Sequence, residues 1–285
     1  MEPEQVPGSA RLGPVDAQAR RGPDRVENPA SPAFRKVWSH LLRLARHDHL
    51  TITLEGESGT GKTTIARRVH ELSPRSKRPF VEVDLGALDD QIAGSELFGH
   101  VPGAFTGATS HRTGLVASAN GGTLFLDEIG KASKTVQQRL LTLMERRMVR
   151  PLGSDREIAY DPRFIVATNI PLEDLAASDR ILPDLVPRLS VFRVRIPPLR
   201  ERREDLPLLV QALLDKHAAL FGYNTAPTLS DDLAEAIAAC EWRHNIRATV
   251  INLQSPRPRN LQQSGIRNEK AHSRSSSTAR LQRWW

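Results

Sequence analysis

Gly56-Glu57-Ser58-Gly59-Thr60-Gly61-Lys62-Thr63 is the stretch on which the fold turns. It fits Gly-x-x-x-x-Gly-Lys-[Ser/Thr], follows the β-type run 50–54 and opens a helical pattern over 62–72. A phosphate-binding loop requires that context. Glycines let successive backbone N–H groups curl around phosphate oxygens, and the positive end of the following helix faces the same anion. In such a loop Lys62 reaches the β- and γ-phosphates and the Thr63 hydroxyl ligates Mg²⁺, with Thr64 in the same first helical turn. The competing reading is a plain glycine-rich strand-to-helix turn.

Outward from the loop, β-type runs recur at 80–83, 123–126, 164–167 and 191–196, with helical patterns at 33–46 and 135–148. Strands alternating with helices predict an α/β fold, a parallel sheet flanked by helices on both faces. After Pro197-Pro198 the strands stop. Segments 205–221 and 230–240 read as helix alone, so a small all-α subdomain is expected to follow the sheet. The expected organisation is a flexible leader (1–28), an α/β core (29–198), a small helical subdomain (199–250) and a basic disordered tail (251–285).

Composition narrows the classes. Of the 285 residues, 40 are Lys or Arg and 33 Asp or Glu, a formal charge of +7. Residues 251–285 hold seven basic residues against Glu269 alone, so most of that charge belongs to the tail and the body is close to neutral. The single cysteine, Cys240, excludes an internal disulfide framework and fits a reducing cytoplasm. No apolar run is long enough to span a membrane, and no Cys/His cluster has metal-ligand spacing. Tail arginines beside Trp284-Trp285 could stack on nucleic acid, but without periodicity a solvated tail is the expectation.

Gly121-Gly122-Thr123-Leu124-Phe125-Leu126-Asp127-Glu128 is an apolar strand ending in two acids. Burying it puts Asp127 at the strand's C-terminal end, where parallel sheets bind ligands. Asp127 would then hold Mg²⁺ and Glu128 would orient and polarise the attacking water. A second apolar strand, 164–167, runs into Thr168-Asn169. Asn169 either senses the γ-phosphate or caps the next helix, and strand position alone does not separate the two. No Asn-Lys-x-Asp guanine signature is present, so ATP is preferred to GTP.

Glu96-Leu97-Phe98-Gly99-His100-Val101-Pro102-Gly103-Ala104-Phe105-Thr106-Gly107-Ala108 closely resembles the hallmark of sigma-54-dependent transcriptional activators, the bacterial enhancer-binding proteins. The resemblance covers about residues 26–247 and implies an AAA+ ATPase module. It implies hexameric rings that hydrolyse ATP at subunit interfaces, and loops formed by Gly103, Ala104, Phe105, Thr106, Gly107 and Ala108 that engage sigma-54. Residues near 150–156 would form a second, supporting loop. Arg188 corresponds to an arginine presented to the neighbouring subunit's ATP, and Arg247 to the sensor arginine of the lid.

Four departures from the family pattern accompany the match. Leu182 stands where the first interface arginine is expected. Arg180, two positions away, falls on the opposite face if the segment is helical. Asp84 replaces a strand-end Asn, Ala117 replaces an acid, and the lid motif becomes Trp242-Arg243-His244-Asn245-Ile246-Arg247-Ala248-Thr249. These departures keep a second reading open: a nucleotide-binding regulatory subunit that joins rings or binds sigma-54 without productive catalysis. Similarity breaks after Arg247, and the tail reads as a disordered extension or the product of a reading-frame change. No helix-turn-helix pattern is seen, which leaves DNA binding open.

Overall fold

The computed structural model describes residues 29–220 together with Trp242, Asn245 and Ile246. The leader, the helical pattern at 230–240, Arg247 and the tail lie outside the described residues. Five strands form one parallel sheet in the order β2-β3-β6-β1-β7, with β1 Ile52–Glu55, β2 Phe80–Asp84, β3 Thr123–Asp127, β6 Arg163–Thr168 and β7 Arg193–Arg195. The near-continuous apolar runs of β3 and β6 explain their interior places, since a strand covered on both faces has no solvent side to keep polar.

Successive side chains point to opposite faces, so each strand feeds two cores. Phe125, Ile165 and Ala167 meet Phe34, Trp38, Leu41 and Ile65 of α1 (Pro32–Ala45) and α2 (Lys62–Glu71). Leu124, Leu126, Phe164 and Val166 meet the other layer, including Leu97 of α3 (Asp90–Phe98), Val116 of α4 (Leu115–Ser118) and Leu140 of α5 (Lys134–Arg146). Leu175 of α6 (Leu172–Ala177) and Leu189 of α7 (Leu185–Ser190) complete that layer. Each such side chain, fully buried, contributes about 1.5–3 kcal/mol. The α/β architecture with helices on both faces is the one expected from the alternation of patterns.

Helix starts follow local chemistry. The Ser31 side chain accepts from Phe34 N with Pro32 opening α1, and the Ser133 side chain accepts from Val136 N at α5. Several boundaries shift from the sequence reading, among them β1, which runs Ile52–Glu55 rather than 50–54. α5 ends two residues before the expected 148, because Arg147 adopts the left-handed region (φ 56°) and its N–H closes on Leu143 O. Met148–Val149 (β4) instead pairs antiparallel with Ile158–Ala159 (β5), strands too short to carry a period-2 signal. β7 is likewise shorter than 191–196. Beyond it two short 3₁₀ turns, Leu199–Glu201 and Arg203–Asp205, lead into α8 (Leu206–Leu220). Among the described residues no helix is long and apolar enough to cross a membrane.

Candidate nucleotide site and partner loop

The strand order lines up four C-terminal ends: Asp84 of β2, Asp127 of β3, Thr168-Asn169 after β6 and Gly56 after β1. β3 lies two strands from β1, about 10 Å at the usual strand spacing. A phosphate group held by the loop after β1 therefore comes within reach of the acids after β3.

The phosphate loop is closed by donors on its carbonyl side. Lys62 Nζ donates to Gly56 O (2.8 Å) and Glu57 O (3.1 Å), and Thr60 Oγ1 donates to Glu57 O (2.8 Å). Asn245 Nδ2 donates to Ser58 O (3.0 Å), Ile246 N to Gly59 O (2.9 Å) and Arg202 Nη2 to Thr60 O (2.6 Å). The carbonyls from Gly56 to Thr60 are thus all engaged. The N–H groups of Lys62, Thr63 and Thr64, in the first turn of α2, have no carbonyl of their own helix to reach. Gly59 and Gly61 take φ of 78° and 94°, a region L side chains rarely adopt. At Gly56 space decides instead, because a Cβ would stand 2.8 Å from Ile196 O.

The Glu57 side chain turns away from this cradle. Arg200 Nη1 and Nη2 donate to its two carboxylate oxygens (2.8 and 2.6 Å), and Asn245 Nδ2 donates to Oε2 (3.2 Å). The Arg200 guanidinium holds the Glu57 carboxyl below its usual range, and Glu57 raises Arg200 in return. Arg202 is buried with its guanidinium 4.4 Å from the Phe34 ring centroid, and burial lowers its pKa to about 10.

After β3, Glu128 occupies the left-handed region (φ 58°, ψ 48°), and its N–H donates to Asp127 Oδ1 (2.9 Å). Such a backbone costs on the order of 1–3 kcal/mol in a non-glycine residue, and strain of this kind clusters at functional sites. Asp84 is exposed and spends Oδ1 on Gly86 N (2.9 Å), one strand away from Asp127. Asn169 does not cap α6. Pro171 is the N-cap residue, and Leu172 N donates to Glu55 Oε1 (3.1 Å), so the capping alternative falls.

Arg188 is exposed and paired within its own chain. On α7 its Nε and Nη2 donate to Glu145 Oε1 of α5 (3.2 and 2.9 Å), on the exposed surface. Residues 178–184 are not helical, so the opposite-face argument for Arg180 does not apply. That segment is held by buried Gln137: Nε2 donates to Arg180 O (2.9 Å) and Oε1 accepts from Leu182 N (2.8 Å). Leu182 itself packs, half-buried, on the larger core. Ala117, half-buried in α4, sits away from the strand ends.

The 103–108 loop is a tight exposed hairpin. Gly103 N donates to Ala108 O (2.8 Å) and Ala108 N to Phe105 O (3.0 Å), while Gly103 and Gly107 take φ of 82° and 95°. Phe105 is 45% exposed, with its ring edge-on to that of His100 (5.1 Å between centroids). Thr106 is exposed, and Ala104 is half-buried beside Gly153. The β4–β5 loop supports the hairpin from below: Val101 N donates to Leu152 O (3.0 Å) and Leu152 N to Gly99 O (2.9 Å). This is the 150–156 segment expected to support the loop.

A parallel sheet with a phosphate loop after β1, an acid pair after β3 and a lid contacting the loop defines a P-loop NTPase of the AAA+ class. Within it, the sigma-54 interaction domain matches residues 28–195 and the AAA+ ATPase lid domain residues 200–249. The chain belongs to the sigma-54-dependent transcriptional regulators. It is 43% identical over 252 residues to the transcriptional regulatory protein GlrR of Escherichia coli (strain K12), covering 83% of this chain and 56% of that protein. It is 44% identical over 217 residues to the Nif-specific regulatory protein of Herbaspirillum seropedicae, covering 76% and 40%. NtrX of Brucella abortus, solved in complex with ATP, superposes with a TM-score of 0.70 at 29% identity over 79% of this chain and 51% of that one. The chain spans about half the length of these relatives.

Sequence reasoning assigned no role to Arg200, Arg202, Asn245 or Gln137. All four act by reaching carbonyls or carboxylates distant in the chain; Asn245 stands inside the 242–249 lid motif, but no local pattern says what any of the four binds.

Proposed function

We propose that the chain hydrolyses ATP with Mg²⁺ in a ring oligomer, a hexamer, and uses the cycle to remodel the sigma-54 RNA polymerase closed complex through residues 103–108. Residues 29–198 are the ATPase core in this reading and 199–250 the lid. The observation that carries it is the coexistence, in one sigma-54 interaction domain, of the phosphate loop, the Asp127-Glu128 strand end and the exposed Phe105-Thr106 tip. A phosphate fits the donor set: Lys62 Nζ, now on loop carbonyls, can turn to it, and the Thr63 and Thr64 N–H groups have no carbonyl of their own helix to reach. Thr63 and Asp127 offer two oxygen ligands, which suits a cation that keeps phosphate and water for its remaining positions. Mg²⁺ there would neutralise charge on the β- and γ-phosphates.

Lys62 binds and orients the phosphates. Glu128 holds the attacking water and draws on its proton, and Asn169 stands at the γ-phosphate end. Arg188 acts in trans, leaving Glu145 for the neighbouring subunit's γ-phosphate, where such an arginine contributes about 10³–10⁵ in rate in related NTPases. Phe105 and Thr106 contact sigma-54. ATPase rate measured against protein concentration tests the ring: specific activity is expected to rise as subunits associate, and a flat profile counts against it.

A further inference from the structure

The geometry points to Asn245, seated against Glu57, as a positioning residue that holds the phosphate loop from the lid side. The inference rests on the proposed ATP-binding reading and assigns a part of that site to residues outside the loop's own motif. Asn245 is buried and takes a left-handed backbone (φ 52°), a conformation asparagine tolerates better than most residues. Its amide oxygen is used at Leu199, where the lid begins, and its amide nitrogen reaches the phosphate loop. Oδ1 accepts from Leu199 N (2.7 Å), and Nδ2 donates to Ser58 O (3.0 Å) and Glu57 Oε2 (3.2 Å). Ile246 N, one residue on, takes Gly59 O (2.9 Å).

The physical consequence concerns peptide orientation. A peptide unit cannot direct its carbonyl and its N–H to the same side. Pinning the Ser58 and Gly59 carbonyls toward the lid turns the following amides, those of Gly59 and Thr60, away from it. Thr60 N makes a long bond to Glu57 O (3.4 Å) that closes the loop's turn. Asn245 therefore removes conformations of a glycine-rich segment that ATP would otherwise have to select against, which lowers the ordering cost of binding. Glu57 gives the amide its second acceptor, and Arg200 fixes Glu57 in place.

The test compares binding of a fluorescent ATP analogue by the full chain, its Lys62→Ala variant, Asn245→Gly and Glu57→Ala, each with its nucleotide-free melting temperature. Glycine keeps the positive φ without strain, so Asn245→Gly removes the amide without forcing the backbone. Asn245→Gly is expected to weaken Kd about fivefold to tenfold, the scale of one or two buried hydrogen bonds. Glu57→Ala, at a half-exposed position where folding is little affected, is expected to weaken it about threefold. Adding nucleotide should raise the melting temperature less in both variants than in the unaltered chain. Asn245→Gln, whose longer amide cannot serve both acceptors from the same backbone, should not restore affinity. Binding lost in Lys62→Ala but unchanged in Asn245→Gly and Glu57→Ala overturns this inference alone. No binding by the unaltered chain overturns it together with the reading on which it rests.

Discussion

Two glycine-bounded loops rise from this domain, and they are built to opposite ends. The phosphate loop and the 103–108 loop each use two glycines at positive φ, near 78° and 94° in one and 82° and 95° in the other. In the phosphate loop every carbonyl from Gly56 to Thr60 is taken by a donor, three of them from Arg202, Asn245 and Ile246. In the other loop the backbone bonds stay within 101–109, and a Cβ added at Gly103 or Gly107 would meet nothing within 4 Å. The first loop is held so that its amides are ready for a small anion. The second is a projection whose side chains can reach a large partner. Glycine supplies close approach at Gly56 and only a turn at Gly103 and Gly107.

Breaking the chemistry beside the first loop should have the largest effect. Glu128→Gln is expected to cut ATP turnover by about 10²–10⁴ while leaving nucleotide binding intact, read by phosphate release beside analogue titration. Breaking the second loop should leave the first untouched. Thr106→Ala is expected to abolish capture of sigma-54 in the presence of a transition-state nucleotide analogue, with ATPase rate and melting temperature unchanged; retained capture would contradict the assigned role. The glycines sharpen the contrast further. Gly56→Ala pushes a methyl into Ile196 O and should cost about 1–3 kcal/mol of stability with weakened nucleotide binding. Gly107→Ala strains only the hairpin, by about 1–2 kcal/mol confined to that turn, and should leave nucleotide affinity unchanged.

The smallest effect lies at the far end of the sheet, where neither loop reaches. Buried His70 Nδ1 lies 2.8 Å from Thr123 Oγ1, and burial, then the Arg163 charge, lowers its pKa. A base whose folded pKa lies below its unfolded value takes up its proton more readily on unfolding. Its contribution is complete above the unfolded value, about 6.5, and is lost as pH falls from there through the lower folded value. The melting temperature should therefore decline modestly on acidification below about pH 6.5, and His70→Gln should flatten that part of the profile.

The phosphate loop, the acid pair and the Phe-Thr loop were legible in the sequence because each is a contiguous run whose spacing carries its chemistry. The strands were legible because β3 and β6 are apolar without interruption. The β4–β5 hairpin was not, since two-residue strands have no period to read, and neither was the end of α5, where nothing in Arg147 announces a left-handed turn. The Asn169 ambiguity needed geometry: only the fold reveals that Glu55, far back in β1, receives the Leu172 N–H.

The sequence by itself determined the class of fold and the family, and it supplied the residues proposed for phosphate, metal and partner, because these depend on local periodicity and contiguous motifs. Tertiary structure alone decided what holds them. Asn245 grips Ser58 across 187 residues of chain, and Arg202 grips Thr60 across 142. A hydrogen bond between residues that distant is set by how sheet and lid pack, and no neighbouring residue in the chain records it.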